Sequence, residues 1–132
     1  MDAERLVEKA KEARAYAYTP YSNFAVGAAL LSKDGRVFTG CNVENGAYSP
    51  SICAERTAFS KAVSEGVLEF DAIAIVGGPS DQEPEKLCPP CGVCRQVMQE
   101  FCDPKTFMVY LNDGSRIVSY RLEELFPAGF VL

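Results

Sequence analysis

The sequence contains no histidine and no tryptophan. Without histidine, the side chain that most readily carries protons near neutrality is missing, as is the commonest nitrogen ligand for metals. A bound transition metal must then be held by sulfur or carboxylate, and a general base must be some other side chain. Positive charge is also scarce. Thirteen lysines and arginines stand against 18 aspartates and glutamates, for a net charge of −5. A chain that holds a polynucleotide normally displaces counterions with a basic surface, so no nucleic acid polymer is expected as a partner. A small, uncharged or weakly charged substrate fits better. No apolar run approaches the roughly 20 residues that span a bilayer, and no membrane partner is expected. The start, Met1-Asp2-Ala3-Glu4-Arg5, is polar with no secretory apolar segment behind it, which reads as a cytoplasmic chain.

What is present suits one globular domain over residues 1–132, with 48% hydrophobic and 23% charged residues. Apolar residues at Leu6, Val7, Ala10, Ala13 and Ala17, with the stem of Arg14, predict a helix from Glu4 to about Tyr18, stopped by Thr19-Pro20. Phe24–Leu31 and Gly35–Cys41, joined across Asp34-Gly35, predict an antiparallel hairpin. A helix is expected from Cys53 to Glu65 with Gly66 as its C-cap, then a strand at Phe70–Val76. Gly77–Pro90 reads as a loop, followed by a helix to Phe101. Strands at Thr106–Leu111 and near Arg116–Val118 flank an Asn112-Asp113-Gly114 turn, and a short helix spans Leu122–Leu125. This order points to an α/β fold with one mixed sheet covered by helices. Most of these apolar positions need no reading beyond core packing.

Six cysteines in a cytosolic chain favour metal binding or catalysis over disulfides for at least some of them. Cys53-Ala54-Glu55 and Pro90-Cys91-Gly92-Val93-Cys94-Arg95-Gln96 both open expected helices. A thiolate there faces free N–H groups and the positive end of the dipole, so it ionises readily. Two such helix starts facing each other could hold one zinc ion through Cys53, Cys91 and Cys94. Three protein ligands leave the fourth tetrahedral position for water, the catalytic arrangement rather than the structural one. Glu55, in the same first turn as Cys53, could stand beside the metal as the proton carrier. Three sulfurs overcompensate a dication, and Arg56 and Arg95, each directly following a ligand motif, could withdraw that charge; the plainer reading of either is a surface cation. Cys88-Pro89-Pro90-Cys91 also has redox-pair spacing. Its two prolines remove the intervening N–H donors, and a redox pair leaves Glu55 without a task.

Cys53-Ala54-Glu55-Arg56, followed 38 positions after Cys53 by Pro90-Cys91-Gly92-Val93-Cys94-Arg95-Gln96, resembles the cytidine deaminase family. Tyr21–Ala29 is similar to that family's N-terminal signature, Gly40-Cys41-Asn42-Val43-Glu44-Asn45 to its ribose-binding segment, and Leu125–Phe130 to its C-terminal signature. The resemblance implies a three-layer α/β/α fold with a mixed five-stranded sheet. It also implies one zinc ion per subunit with a bound water or hydroxide, and hydrolytic deamination of cytidine and deoxycytidine in pyrimidine salvage. By the same resemblance Glu55 is catalytic, Asn42 and Glu44 bind the ribose 3′-hydroxyl, and Phe24 packs against the nucleoside. Tyr48 and Phe130 would reach a neighbouring subunit's site in a homotetramer. The bland reading of Asn42 and Glu44 is a turn whose side chains bond local backbone, and that of Phe24 is a core aromatic. The alternatives at the level of function are a deaminase of a modified cytosine nucleoside or nucleoside antibiotic, and a structural zinc module. The Gly77–Pro90 loop is longer than the resemblance leads one to expect, and Cys88 has no role in it. Cys41 and Cys102 read as small buried apolar residues.

Overall fold

The computed structural model describes residues 1–132. Its elements are α1 (Ala3–Ala13), β1 (Phe24–Ser32), β2 (Val37–Cys41), α2 (Ala54–Ser64), β3 (Phe70–Pro79), α3 (Gly92–Phe101), β4 (Met108–Asn112), β5 (Ile117–Arg121) and α4 (Leu122–Leu125). The five strands form one sheet in the order β2-β1-β3-β4-β5. β3 and β4 run parallel, and the other three pairings are antiparallel. The parallel pair needs a crossover, which α3 supplies.

Alternation along the central strands sorts the core into two layers. Ala29, Ala72, Ala74 and Val76 face α1, where Leu6, Val7 and Ala10 meet them. Ala28, Leu30, Ile73, Ile75, Val109 and Leu111 face the other way, against Ala58, Phe59, Met98 and Leu122 of α2, α3 and α4. The result is the expected α/β/α sandwich. Phe59 anchors the second layer, edge-on to Phe70 at 5.1 Å between ring centroids and stacked on Phe101 at 6.1 Å.

Two glycines set the distance between layers. A Cβ on Gly27 would lie 1.9 Å from the Ala10 carbonyl oxygen, so α1 packs directly on the β1 backbone. A Cβ on Gly40 would lie 2.5 Å from the Ala54 carbonyl oxygen, so the first turn of α2 sits tight on β2. At its other end α2 closes through Gly66, at φ +85°, with Val67 N–H bonded to the Ala62 carbonyl and Gly66 N–H to that of Val63. This is a Schellman closure, with Val67 buried against the core.

The structure moves several expected boundaries. The first helix stops at Ala13 and passes through one 3-10 turn, Arg14–Tyr16, instead of reaching Tyr18. There Tyr18 N–H bonds the Asn42 carbonyl and Glu44 N–H bonds that of Tyr18, a pairing that helix would forbid. β3 continues past Val76 to Pro79, because Phe24, Ala25 and Val26 of β1 pair with Pro79, Gly78 and Gly77. The expected loop therefore begins three residues later than its glycines suggest. β2 starts at Val37 rather than Gly35, whose φ of +92° belongs to the turn.

Candidate metal and catalytic site

Cys53 is the N-cap of α2 and Cys91 the N-cap of α3, both in extended backbone, and neither side chain caps its own helix. Their sulfurs are thus free to point elsewhere, and they point at each other, 3.9 Å apart. Cys94, in the first turn of α3, is fully buried beneath them. The Sγ atoms of Cys53, Cys91 and Cys94 all lie within 4.8 Å of one another. A tetrahedral zinc with Zn–S distances near 2.3 Å spaces its sulfurs by about 3.8 Å, so the donor set fits that ion.

Among the protein's own groups the sulfurs are unequal. The neighbouring Cys94 thiol, then Arg56 and Cys91, hold the Cys53 thiol down to about 5. Cys94 is correspondingly pushed up, first by the adjacent Cys53 sulfur and then by burial. Arg56 Nη2 stands 3.7 Å from Cys53 Sγ, and Arg56 Nε is buried without a partner. A guanidinium held against the Cys53 sulfur can withdraw negative charge from a three-thiolate site. Arg95 does not share this position. Its Nε donates to the Pro90 carbonyl at 2.7 Å and its Nη1 to the Leu125 carbonyl, so it fastens the approach to Cys91 onto the end of α4.

Glu55 is 4% exposed, one turn position beyond Ala54 on α2. Burial pushes its carboxyl up to about 7, and the Cys53 charge adds to this. A carboxyl poised there can both accept and return a proton at neutral pH.

Asn42, Glu44 and Phe24 come together at the N-terminal end of β1. The Asn42 amide accepts from Val26 N–H and donates to the Phe24 carbonyl, both at 2.9 Å. The Glu44 carboxylate accepts from the N–H groups of Tyr21 and Ser22 at 3.0 and 3.1 Å and from the Ser22 hydroxyl. The Ser22 hydroxyl, which sequence reasoning passed over, also accepts from Phe24 N–H at 3.0 Å. The Ser22 bond lowers the Glu44 carboxyl below its usual range. Local backbone bonding is therefore real for both residues, and it fixes the segment that presents Phe24, itself 40% exposed. Each group retains capacity for a ligand, since the amide has a second proton and the carboxylate further lone pairs.

Two cavities flank this segment. One, of about 350 Å³, is lined by Tyr21, Ser22, Glu44, Asn45, Tyr48 and Ser51. The other, of about 390 Å³, is lined by Phe24 and Gly77–Pro79 together with the loop residues Gln82, Glu83, Glu85, Lys86 and Leu87. Tyr48 and Phe130 are 75% and 64% exposed. Tyr48 meets the Tyr21 ring edge-on at 6.3 Å between centroids, and Gln96 donates to the Phe130 carbonyl at 3.1 Å.

Cys88 stands outside the sulfur trio, half-buried where a Cβ on Gly77 would come within 2.6 Å of its Sγ. Burial, then the charges of Glu55 and Cys53, push its thiol up to about 11. Cys102 is buried as expected, whereas Cys41 is only half-buried.

A five-stranded α/β/α sandwich with three thiols and a buried carboxyl at two facing helix starts defines a metal-dependent hydrolytic centre. Residues 1–110 match the family model described as the cytidine and deoxycytidylate deaminase zinc-binding region. The chain belongs to that family, and its cofactor is zinc. It is 48% identical over 130 residues to a cytidine deaminase of Sporosarcina psychrophila, covering 98% of this chain and 92% of the relative. A cytidine deaminase of Halalkalibacterium halodurans is 46% identical over 130 residues, covering 98% and 95%. The crystal structure of a cytidine deaminase from Burkholderia pseudomallei superposes with a TM-score of 0.88 at 47% identity, over 98% of this chain and all of that one.

Proposed function

We propose that this chain is a zinc-dependent cytidine deaminase, a hydrolase of the cyclic amidine C–N bond. It converts cytidine and deoxycytidine to uridine and deoxyuridine with release of ammonia. The observation that carries this reading is the pairing of the Cys53/Cys91/Cys94 trio with the buried Glu55. Cys53, Cys91 and Cys94 hold the ion, which when bound supplies an activated water at neutral pH for attack on C4 of cytosine. Arg56 offsets the excess negative charge of the sulfurs. Glu55 takes a proton from the attacking water and delivers it to N3. It then carries the second proton to the exocyclic amine, which leaves as ammonia. Burial serves this cycle because it keeps both protonation states of the carboxyl accessible near pH 7.

Phe24 packs against the nucleoside, and the free capacity of Asn42 and Glu44 receives the ribose 3′-hydroxyl. That group is common to ribo- and deoxyribonucleosides, which supports turnover of both. The exposed Tyr48 and Phe130 side chains have little to pack on within one subunit, which supports a homotetramer whose neighbours complete each site. One catalytic domain over residues 1–132, acting in the cytoplasm on free nucleosides in pyrimidine salvage, is the setting this reading implies. The net charge of −5 favours a small-molecule partner over a polynucleotide.

The test is ammonia release from cytidine and deoxycytidine by zinc-loaded protein, with Glu55→Ala as control. The wild type releases ammonia from both. The variant keeps its fold and its zinc while turnover falls by at least about 10³-fold. Zinc lost together with activity would make Glu55 a ligand. A folded, zinc-loaded wild type inactive on both substrates would transfer the reading to modified cytosine nucleosides.

A further inference from the structure

Arg14 takes no part in the chemistry described above, yet its guanidinium donates to four backbone carbonyls drawn from three separate segments. Nε donates to the Ala25 carbonyl at 2.9 Å. Nη2 lies 3.1 Å from the carbonyl oxygens of Gly78 and Pro79 and 3.4 Å from that of Gln82. One side chain at the end of α1 therefore gathers the start of β1, the end of β3 and the loop beyond it. Arg14 is also where α1 gives way to the 3-10 turn, so its position follows from the end of the helix.

These contacts converge on Phe24. Ala25 is its neighbour in sequence, and Pro79 and Gly78 are the register partners of Phe24 and Ala25. The Asn42 amide already holds the Phe24 carbonyl and the Val26 N–H. With Arg14 on the Ala25 carbonyl, three consecutive residues are pinned by two side chains from distant parts of the chain. On the far side, Pro79 accepts from both Arg14 and Gln82 N–H, and Ser80 N–H bonds the Asn23 carbonyl. The turn that launches the loop is thereby locked against the same segment. The 390 Å³ cavity is lined both by Phe24 and by this loop, through Gln82, Glu83, Glu85, Lys86 and Leu87.

We propose that Arg14 is a positioning residue for substrate binding. Its guanidinium sets the separation between the Phe24 ring and the 80–87 loop, and so the width of the opening through which the nucleoside reaches its seat. The inference rests on the deaminase reading for what enters that opening, but not for the tether itself. A planar fork is required because the carbonyls come from three segments; an ammonium group reaches at most part of the set. Arg14 makes no hydrogen bond to Glu55 or to the sulfurs of Cys53, Cys91 and Cys94, so its effect is expected on binding rather than on the chemical step.

The experiment compares zinc-loaded wild type with Arg14→Lys and with Arg14→Met, which keeps the apolar stem and removes every donor. Hydrogen exchange of backbone amides is followed first. Exchange should accelerate at residues 24–26 and 80–87 in Arg14→Met, less in Arg14→Lys, while α2 and α3 keep their protection. Steady-state kinetics on cytidine should show KM raised by about tenfold in Arg14→Met, with kcat within about twofold of wild type and Arg14→Lys in between. Unchanged exchange in both segments would overturn the tether. A fall in kcat at constant KM, or a lowered Tm with both constants intact, would overturn the positioning role. If the wild type releases no ammonia from cytidine, the functional reading has failed, and the exchange comparison alone decides whether Arg14 holds the loop.

Discussion

Cys53 and Glu55 stand at the start of one helix, and in the proposed function they meet opposite demands, because one would lose its proton to hold the ion and the other would keep and return one. The helix start and the donors around Cys53 favour its charge, while Glu55 points into a buried environment that disfavours charge. Arg56 belongs to both settings, since its Nη2 faces the Cys53 sulfur. Arg56→Gln removes the charge and also shortens the side chain, so the amide no longer reaches the Cys53 sulfur that Nη2 faces. The expected outcome is zinc release at least about tenfold faster to a chromophoric chelator, with Tm of the zinc-loaded protein nearly unchanged at saturating zinc. Arg95→Gln is expected to behave differently. Its contacts are with the Pro90 and Leu125 carbonyls, so it should lower Tm by loosening the packing of α4 against the Cys91 approach.

At the scale of elements, the site depends on how closely α2 sits on β2. Gly40→Ala would force a methyl group against the Ala54 carbonyl and the Ala58 N–H, 2.5 and 2.6 Å from the new Cβ. Both are backbone atoms and cannot swing aside. The cost is about 2 kcal/mol or more, and Tm should fall by roughly 5–10 °C. Because the displaced turn carries Cys53 and Glu55, zinc affinity should weaken in the same variant. The β4–β5 hairpin offers a contrast remote from the site. Asp113 accepts from Arg116 N–H, Ser115 N–H and the Ser115 hydroxyl, and these bonds hold its carboxyl down to about 2. Its folded value lies below the unfolded one near 3.9, so it stabilises the fold above about pH 4 and loses that effect as pH falls toward 2. Asp113→Asn should therefore lower Tm at pH 6, and the difference from wild type should shrink between pH 4 and pH 2.

For the whole molecule, the decisive question is whether one subunit is a complete catalyst. Tyr48 and Phe130 project from separate segments into solvent, although the Phe130 backbone is tied to α3 by Gln96. If both rings serve a neighbour, inactive variants should repair each other. Phe130→Ala and Glu55→Ala are each expected to be nearly inactive as pure assemblies. Mixed after dissociation and reassembled, they should regain ammonia release, because some sites combine an intact Glu55 with an intact Phe130 from the adjoining subunit. Activity that stays absent in the mixture would place Phe130 in its own subunit's site. Sedimentation of the wild type at working concentration should show four subunits.

Much of this molecule was legible without coordinates because short-range physics governs it. The spacing of Cys91 and Cys94 in one helical turn, and of Cys53 and Glu55 in another, depends only on helix geometry. The absence of histidine restricts the ligand and proton-carrier chemistry whatever the fold. Alternation in Phe70–Val76 and the Asp34-Gly35 turn likewise announce their elements locally. Tertiary structure decided the rest. It brought two helix starts, 38 residues apart in the chain, to a sulfur separation of 3.9 Å. It extended β3 to Pro79, because β1 offered unpaired backbone that local residue preferences do not register. It placed Arg56 on a sulfur and Arg95 on carbonyls, although both follow a ligand motif in sequence. It also turned Arg14 from the stem on a helix face into a link among three segments. Periodicity reports which side of an element is apolar. Where a long polar side chain finds its partners depends on what the rest of the chain brings within reach.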